Sequence, residues 1–139
     1  MNAINPTRKR ESYSHQCPHF TIQWEEEHQV LSAEIIGPQD GKTAQLFKQS
    51  FLECIDTLPE EQVVDFIVDV THQGKADKSS REVSSQIPKH PQFGRAAIYG
   101  LNAFARTTAT FVMFAAGKSN LFRACKTKQE ALDWLHSKR

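Results

Sequence analysis

The sequence predicts an α/β protein: a single mixed, mostly parallel sheet flanked by helices, in the order β-β-α-β-α-β-α-β-α. Three observations predict it. Val63-Val64-Asp65-Phe66-Ile67-Val68-Asp69-Val70 is a nearly unbroken β-branched run, as expected of a strand covered on both faces. Before it, Ala44, Phe47, Phe51, Cys54, Ile55 and Leu58 recur at helical spacing and make one apolar stripe. After it, strand and helix signals alternate, which favours parallel pairing through right-handed crossovers.

Residues 1–18 read as a disordered tail. They carry Pro6, Pro18 and the basic run Arg8-Lys9-Arg10, with no apolar period to offset the entropy of ordering. One domain is expected over 19–139. Phe20, Ile22 and Trp24 alternate with polar residues, and so do Leu31, Ala33 and Ile35 up to Gly37-Pro38, so a hairpin is expected. Glu25 to Gln29 turns the chain without the strongest turn dipeptides. Asp40 or Thr43 can cap the first helix, and Pro59 closes it. A polar loop with Gly74 is expected after Val70. Ser79-Ser80-Arg81-Glu82 has the form of a capping box, opening a short helix that Pro88 ends. Arg95 to Tyr99 reads as a strand ended by Gly100. A helix follows from Asn102 to Gly117, then a strand over 121–125. Thr127-Lys128-Gln129-Glu130 is a second capping box, and Ala131, Leu132, Trp134 and Leu135 face inward from a terminal helix.

Composition narrows the function classes. The 139 residues carry 17 Lys and Arg against 16 Asp and Glu, a net charge of +1, so no global field recruits nucleic acid or an anionic membrane. No apolar run approaches the ~18 residues of a membrane span, and the polar start has no hydrophobic signal segment. Three cysteines without a tight motif spacing favour a reducing cytoplasm over a disulfide framework.

Motifs of catalysis are thin. Gly117-Lys118-Ser119 resembles the end of a phosphate-binding loop, but Val112 stands where the motif needs its first glycine, and a helix precedes it. A helix C-cap explains Gly117 better. His15, Cys17 and His19 fall short of a four-ligand zinc set, with His28 an unfixed fourth, and no metal or cofactor is expected. Cys54 reads as core and Cys125 as half-buried. Asp65 and Asp69 share one strand face; Asp69, near the carboxyl end, is expected to organise the following loop by hydrogen bonds. Asp69, His72 and Lys75 are the only candidates for catalysis near that strand end, and the chain reads as non-enzymatic.

A resemblance adds to this reading. Pro91-x-Phe93-Gly94-Arg95-x-Ala97-Ile98-Tyr99-Gly100, then Phe122-Arg123, then Glu130-Ala131-Leu132-x-Trp134-Leu135 are similar to SpoIIAA-like bacterial proteins related to CRAL-TRIO lipid-binding domains. The element order and the segment from Asp69 to Ile87 resemble the STAS/SpoIIAA-like superfamily. The resemblance covers about residues 19–137. In the anti-sigma factor antagonist branch, a serine at the start of the second helix is phosphorylated, and the unphosphorylated protein binds a kinase/anti-sigma partner. By position Ser80 takes the place of that serine, with Ser79 beside it, in Asp77-Lys78-Ser79-Ser80-Arg81. This sequence departs from the pattern: Lys78 intervenes after the aspartate, and Arg81 stands where a glycine would follow.

The expected function is therefore a cytoplasmic, regulatory interaction module. It would dock to a protein partner, or to itself, through Thr71 to Ser84, with Thr71, Asp77, Ser79, Ser80 and Arg81 on that surface. The alternative implied by the lipid-binding relatives is an apolar-ligand pocket lined by Phe93, Ile98, Phe104, Phe111 and Phe114.

Overall fold

The computed structural model describes residues 14–101 and 121–137. The elements are β1 (Ser14–Cys17), β2 (Phe20–Glu25), β3 (Val30–Gln39), α1 (Gly41–Ile55), β4 (Val64–Ala76), α2 (Lys78–Ser84), a 3-10 turn (Ile87–Lys89), β5 (Phe93–Tyr99), β6 (Phe122–Cys125) and α3 (Lys128–Leu135). The helix expected from Asn102 to Gly117, with Phe104, Phe111 and Phe114, lies outside the described residues.

Six strands form one sheet in chain order, β1-β2-β3-β4-β5-β6. β1, β2 and β3 pair antiparallel, and β3 to β6 pair parallel. The mixed, mostly parallel α/β sheet expected from the sequence is present, with β4 in its interior. One strand more precedes the expected hairpin. Ser14–Cys17 pairs with Phe20 to Gln23, although residues 1–18 read as a tail. The period of two is invisible there because a four-residue strand gives too few repeats.

The β2–β3 turn forms without glycine. Gln29 takes the left-handed conformation at φ 55. Its Nε2 donates to the Glu26 carbonyl oxygen and to Glu26 Oε2, both at 2.8 Å, which holds it there. Polar side chains thus replace the Asn-Gly pair that such turns favour.

The two faces of the sheet carry two cores. Leu31, Ala33, Phe66 and Ala96 point toward α1, where Phe51, Cys54 and Ile55 complete the larger cluster. Its centre is aromatic: Phe51 lies 5.0 Å from Phe66, Phe66 5.4 Å from Phe93, and Phe93 5.8 Å from Phe122, ring to ring. Val30, Ile67, Ala97 and Cys125 point the other way and pack against Ala131, Leu132 and Leu135 of α3. β4 therefore buries alternate residues into different cores, which is why its sequence reads as one continuous apolar run. Cys54 is core as expected; Cys125 is fully buried rather than half-buried.

A bulge sets the register of β5. Val64 pairs with Phe93, but Phe66 pairs with Ala96, so one extra residue is absorbed at Gly94-Arg95. Buried Asp65 accepts the Arg95 backbone N–H there at 2.8 Å. A Cβ at position 94 would collide with Asp65 Oδ1 and sit 3.0 Å from the Val64 carbonyl oxygen, so glycine is required by space. Gly94→Ala is expected to destabilise the fold by about 1–3 kcal/mol, the range for overpacked sites. An unchanged urea midpoint would show that the bulge yields freely.

Candidate functional site

The carboxyl end of the sheet is built by the β3–β4 pair. β4 does not stop at Val70. It continues to Ala76, with Ile36 opposite His72, Gly37 opposite Gln73 and Gln39 opposite Ala76. The stretch expected to be a polar loop is a strand because β3 supplies it with a partner. Its polar residues reflect solvent exposure beyond the helices, not irregular backbone. Two register shifts, between Glu34 and Ile36 and between Gly37 and Gln39, curve the pair as it leaves the core.

Both strands end one residue before an aspartate cap. Asp40 caps α1, accepting the Thr43 N–H at 2.8 Å. Asp77 caps α2, accepting the Ser80 N–H at 2.8 Å. The capping box expected at Ser79 and Glu82 is therefore not the one used. The cap lies two residues earlier, where the strand delivers a carboxylate already extended at ψ 175. The second expected box is used: Thr127 accepts the Glu130 N–H at 3.1 Å.

The Asp77 N–H donates to the Gln39 carbonyl oxygen at 3.1 Å, and this brings the two helix starts side by side. At Gly41 a Cβ would lie only 2.9 Å from Ser79 Cβ. Only a residue without a side chain lets the first turn of α1 approach Ser79 so closely. An open cleft of about 320 Å³ lies between these starts, lined by His19, Pro38, Gln39, Asp40, Thr43, Lys75 and Asp77. Gln39, only 8% exposed, forms its floor. Its Nε2 lies 3.1 to 3.2 Å from the carbonyl oxygens of His19, Ile36, Gly37 and Pro38, tying the bulged strand to the β1–β2 turn.

The residues singled out from the sequence separate into groups. Asp77 lines the cleft, Ser79 is exposed on its α2 side, and Arg81 donates from Nη1 to the Ala76 carbonyl oxygen at 2.6 Å. Ser80 is 4% exposed, which removes its hydroxyl from the surface while Ser79 stays accessible. Thr71 belongs to a different network. Its N–H and hydroxyl donate to Asp69 Oδ1 at 2.9 and 2.6 Å, so Asp69 orders the backbone after it, as expected. His72 faces Glu34 at 3.6 Å and Lys75 lines the cleft, so Asp69, His72 and Lys75 have separate neighbours. Phe93 is packed among Phe51, Phe66 and Phe122, and Ile98 is half-buried beside Val68. Gln39, Asp40, Lys75 and His19 were not expected to share a site. The available signal was Gln39-Asp40, a polar pair just before the first helix.

Among the described residues, no group of His, Cys, Asp and Glu could hold a metal ion, and no helix is long and apolar enough to cross a membrane.

Electrostatics mark two places. The Thr43 N–H holds the Asp40 carboxyl below its ordinary value of 3.8, with smaller help from His19 and Lys42. Burial, then the charges of Asp69, Glu25 and Glu34, push the Tyr99 hydroxyl up to about 12.

Each shift predicts a limb of the pH–stability curve. Ionised Asp40 contributes stability that is present above 3.8 and lost as pH falls through its lower folded value. Asp40→Asn keeps a capping oxygen but cannot titrate, so its urea midpoint should fall less steeply on acidification. Equal slopes would remove Asp40 from the acid limb. Protonated Tyr99 contributes stability that is complete below pH 10 and lost as pH rises toward 12. Ultraviolet titration of wild type minus Tyr99→Phe should isolate one phenol ionising near 12; a difference curve centred at 10 contradicts the buried setting.

No protein-family model matches the chain, and no curated protein matches it. A solved structure does: an uncharacterized protein from the DUF3478 family of Shewanella loihica PV-4, with a SpoIIAA-like fold. The two superpose with a TM-score of 0.69 at 16% identity, over 89% of this chain and 99% of that one. At that identity the likeness speaks for architecture alone, and it supports the SpoIIAA-like fold that the resemblance implied. The chain has a SpoIIAA-like fold.

Proposed function

We propose that the chain is a non-catalytic regulatory module, similar in role to the anti-sigma factor antagonists, that docks to a protein partner through the starts of α1 and α2. The observation that carries this is the contact of Gly41 with Ser79, which merges two helix starts and the open cleft into one surface. Loops at the carboxyl ends of parallel strands are where α/β sheets place their binding sites. The SpoIIAA-like fold supports the reading at the level of architecture.

Ser79, rather than Ser80, is the hydroxyl a modifying enzyme can reach on this surface. A phosphate on Ser79 would add close to two negative charges beside Lys78 and Arg81 and alter whatever docks there. The apolar-ligand alternative draws less support. Phe93 is occupied in the aromatic cluster, which leaves half-buried Ile98 as its remaining described candidate.

A photo-crosslinking residue tests the docking face directly. Placed at exposed Gln73, it should give a discrete adduct with a second protein in the native cell. Placed at exposed Glu60, beyond the opposite end of α1, it should give none. Equal labelling from both positions, or none from Gln73, would sink the proposal.

A further inference from the structure

Among the described residues two glutamines are buried, and each ties down backbone carbonyls in a different way. Gln92, 9% exposed, sends Nε2 to the carbonyl oxygens of Pro59 and Gln62, both at 2.9 Å. That is one acceptor for each of the two protons on an amide nitrogen. Gln39, 8% exposed, places Nε2 among four carbonyl oxygens: His19 at 3.2 Å, Ile36 at 3.1 Å, Gly37 at 3.1 Å and Pro38 at 3.2 Å. The His19 oxygen also accepts the Ile36 N–H at 2.9 Å. Two protons therefore serve four oxygens, and every distance lies at the long end of the usual range.

The backbone makes this convergence. In a regular strand successive carbonyls point to opposite edges, so three in a row cannot meet at one point. Gly37 breaks the alternation with φ 69, and a register shift lies between Gly37 and Gln39. The oxygens of Ile36, Gly37 and Pro38 then gather around one point, and the β1–β2 turn adds that of His19. Each carbonyl presents the negative end of its dipole, so the shared point favours positive charge. A neutral amide meets that demand only in part. Its orientation is fixed all the same: with nitrogen and oxygen exchanged, the amide oxygen would face four oxygens.

We propose that this nest of carbonyls is a site for a potassium-sized monovalent cation, and that the Gln39 amide is its resident occupant, standing in for the ion. Rings of backbone carbonyls are what potassium filters use in place of the hydration shell. Divalent ions are excluded by size. Ca²⁺ draws oxygens to about 2.3–2.6 Å and Mg²⁺ to about 2.0–2.1 Å. Both lie well inside the 3.1 to 3.2 Å found here. Sodium, smaller than potassium, would need the backbone to contract. The approach is the cleft, where Gln39, Asp40, Asp77 and Lys75 are in the lining. Occupancy of the nest bears on both helix starts, because the Gln39 carbonyl accepts the Asp77 N–H at 3.1 Å. Neither amide nor ion needs a docked partner, so the site stands apart from the docking reading.

The test is urea unfolding of the full chain in potassium chloride and in sodium chloride, each at about 150 mM so that screening is equal. Gln39→Ala empties the nest and should lower the midpoint in sodium. In potassium it should regain much of the loss, rising saturably as potassium replaces sodium at constant chloride, because an ion that binds only the folded chain stabilises it by mass action. Gln39→Asn, whose amide is one methylene short, should behave likewise. Gln92→Ala should lose stability equally in both salts, since its carbonyls form a pair and not a nest. Wild type, with the nest filled, should show no preference. In isotope-labelled Gln39→Ala, potassium should shift the amides of Ile36, Gly37, Asp40 and Asp77 while sodium leaves them in place. Equal midpoints for Gln39→Ala in the two salts overturn the proposal. So does a potassium preference shared with Gln92→Ala, which would mark a bulk effect of the salt. Gln39 variants unfolded in both salts overturn it as well, because the ion then fails to do the amide's work. Crosslinking from Gln73 is read on wild type, whose nest is filled in either salt, so failure of the docking face is seen separately.

Discussion

The parallel pairing of β3 with β4 is the constraint on which the rest depends. Inside the molecule it is a core element, with Leu31 beside Phe66 and Ala33 beside Val68. Past Val70 the same ladder continues without a core, held by backbone hydrogen bonds and by Gln39. This extension decides where both helices begin. α1 starts two residues after Gln39, and α2 starts two after Ala76, the residue paired with Gln39. Because the strands end in register, the two caps end in register as well. The site is thus a consequence of strand length, and a shorter β4 would have separated the helix starts.

Two aspartates at helix starts do double service in such an arrangement. A cap contributes on the order of 1 kcal/mol, small beside the core but decisive for a helix as short as α2. α2 runs only over Lys78–Ser84, too short to stand alone, so it persists through Asp77 and its packing on α1. The same carboxylates absorb the electrostatic pull of the helix ends. Without them, the cleft would attract small anions indiscriminately. With them, that pull is met inside the chain by Asp40 and Asp77.

Much of this fold was legible in the sequence because the signals are periodic. The stripe from Ala44 to Leu58 gave α1, the run from Val63 to Val70 gave the interior of β4, and Phe20 to Ile35 gave the hairpin. Three features were not legible, each for a physical reason. β1 is too short for a period and gains its ladder only from β2. The polar end of β4 has strand geometry imposed by β3, a tertiary effect that overrides its Gly74-Lys75 composition. The α2 cap was misplaced because Ser79-x-x-Glu82 and Asp77-x-x-Ser80 both satisfy a capping pattern. The choice between them is made by where β4 ends. At the candidate site, Asp77, Ser79 and Arg81 are neighbours in the chain, but Gln39, Asp40 and His19 are separated from them in sequence. Only the β3–β4 register brings them near.

The opposite end of the sheet uses its basic residue differently. Arg95 lies on β5 near its amino end, and its Nη2 donates to the Leu135 carbonyl oxygen at 2.7 Å, at the end of α3. Its guanidinium also lies 4.6 Å from the centre of the Trp134 ring. A cation at a helix C-terminus and over an indole is favoured twice, by the helix dipole and by the ring's quadrupole. Nε, buried and without a hydrogen-bond partner, shows how far that packing has taken the side chain from water. Arg95 is thus committed to fastening the terminal helix, and its charge is consumed internally. Lys75 and Lys78 stand exposed at the other end. Basic residues placed at two ends of one sheet therefore differ in kind: at the amino end the charge fastens a helix inside the fold, and at the carboxyl end it faces solvent.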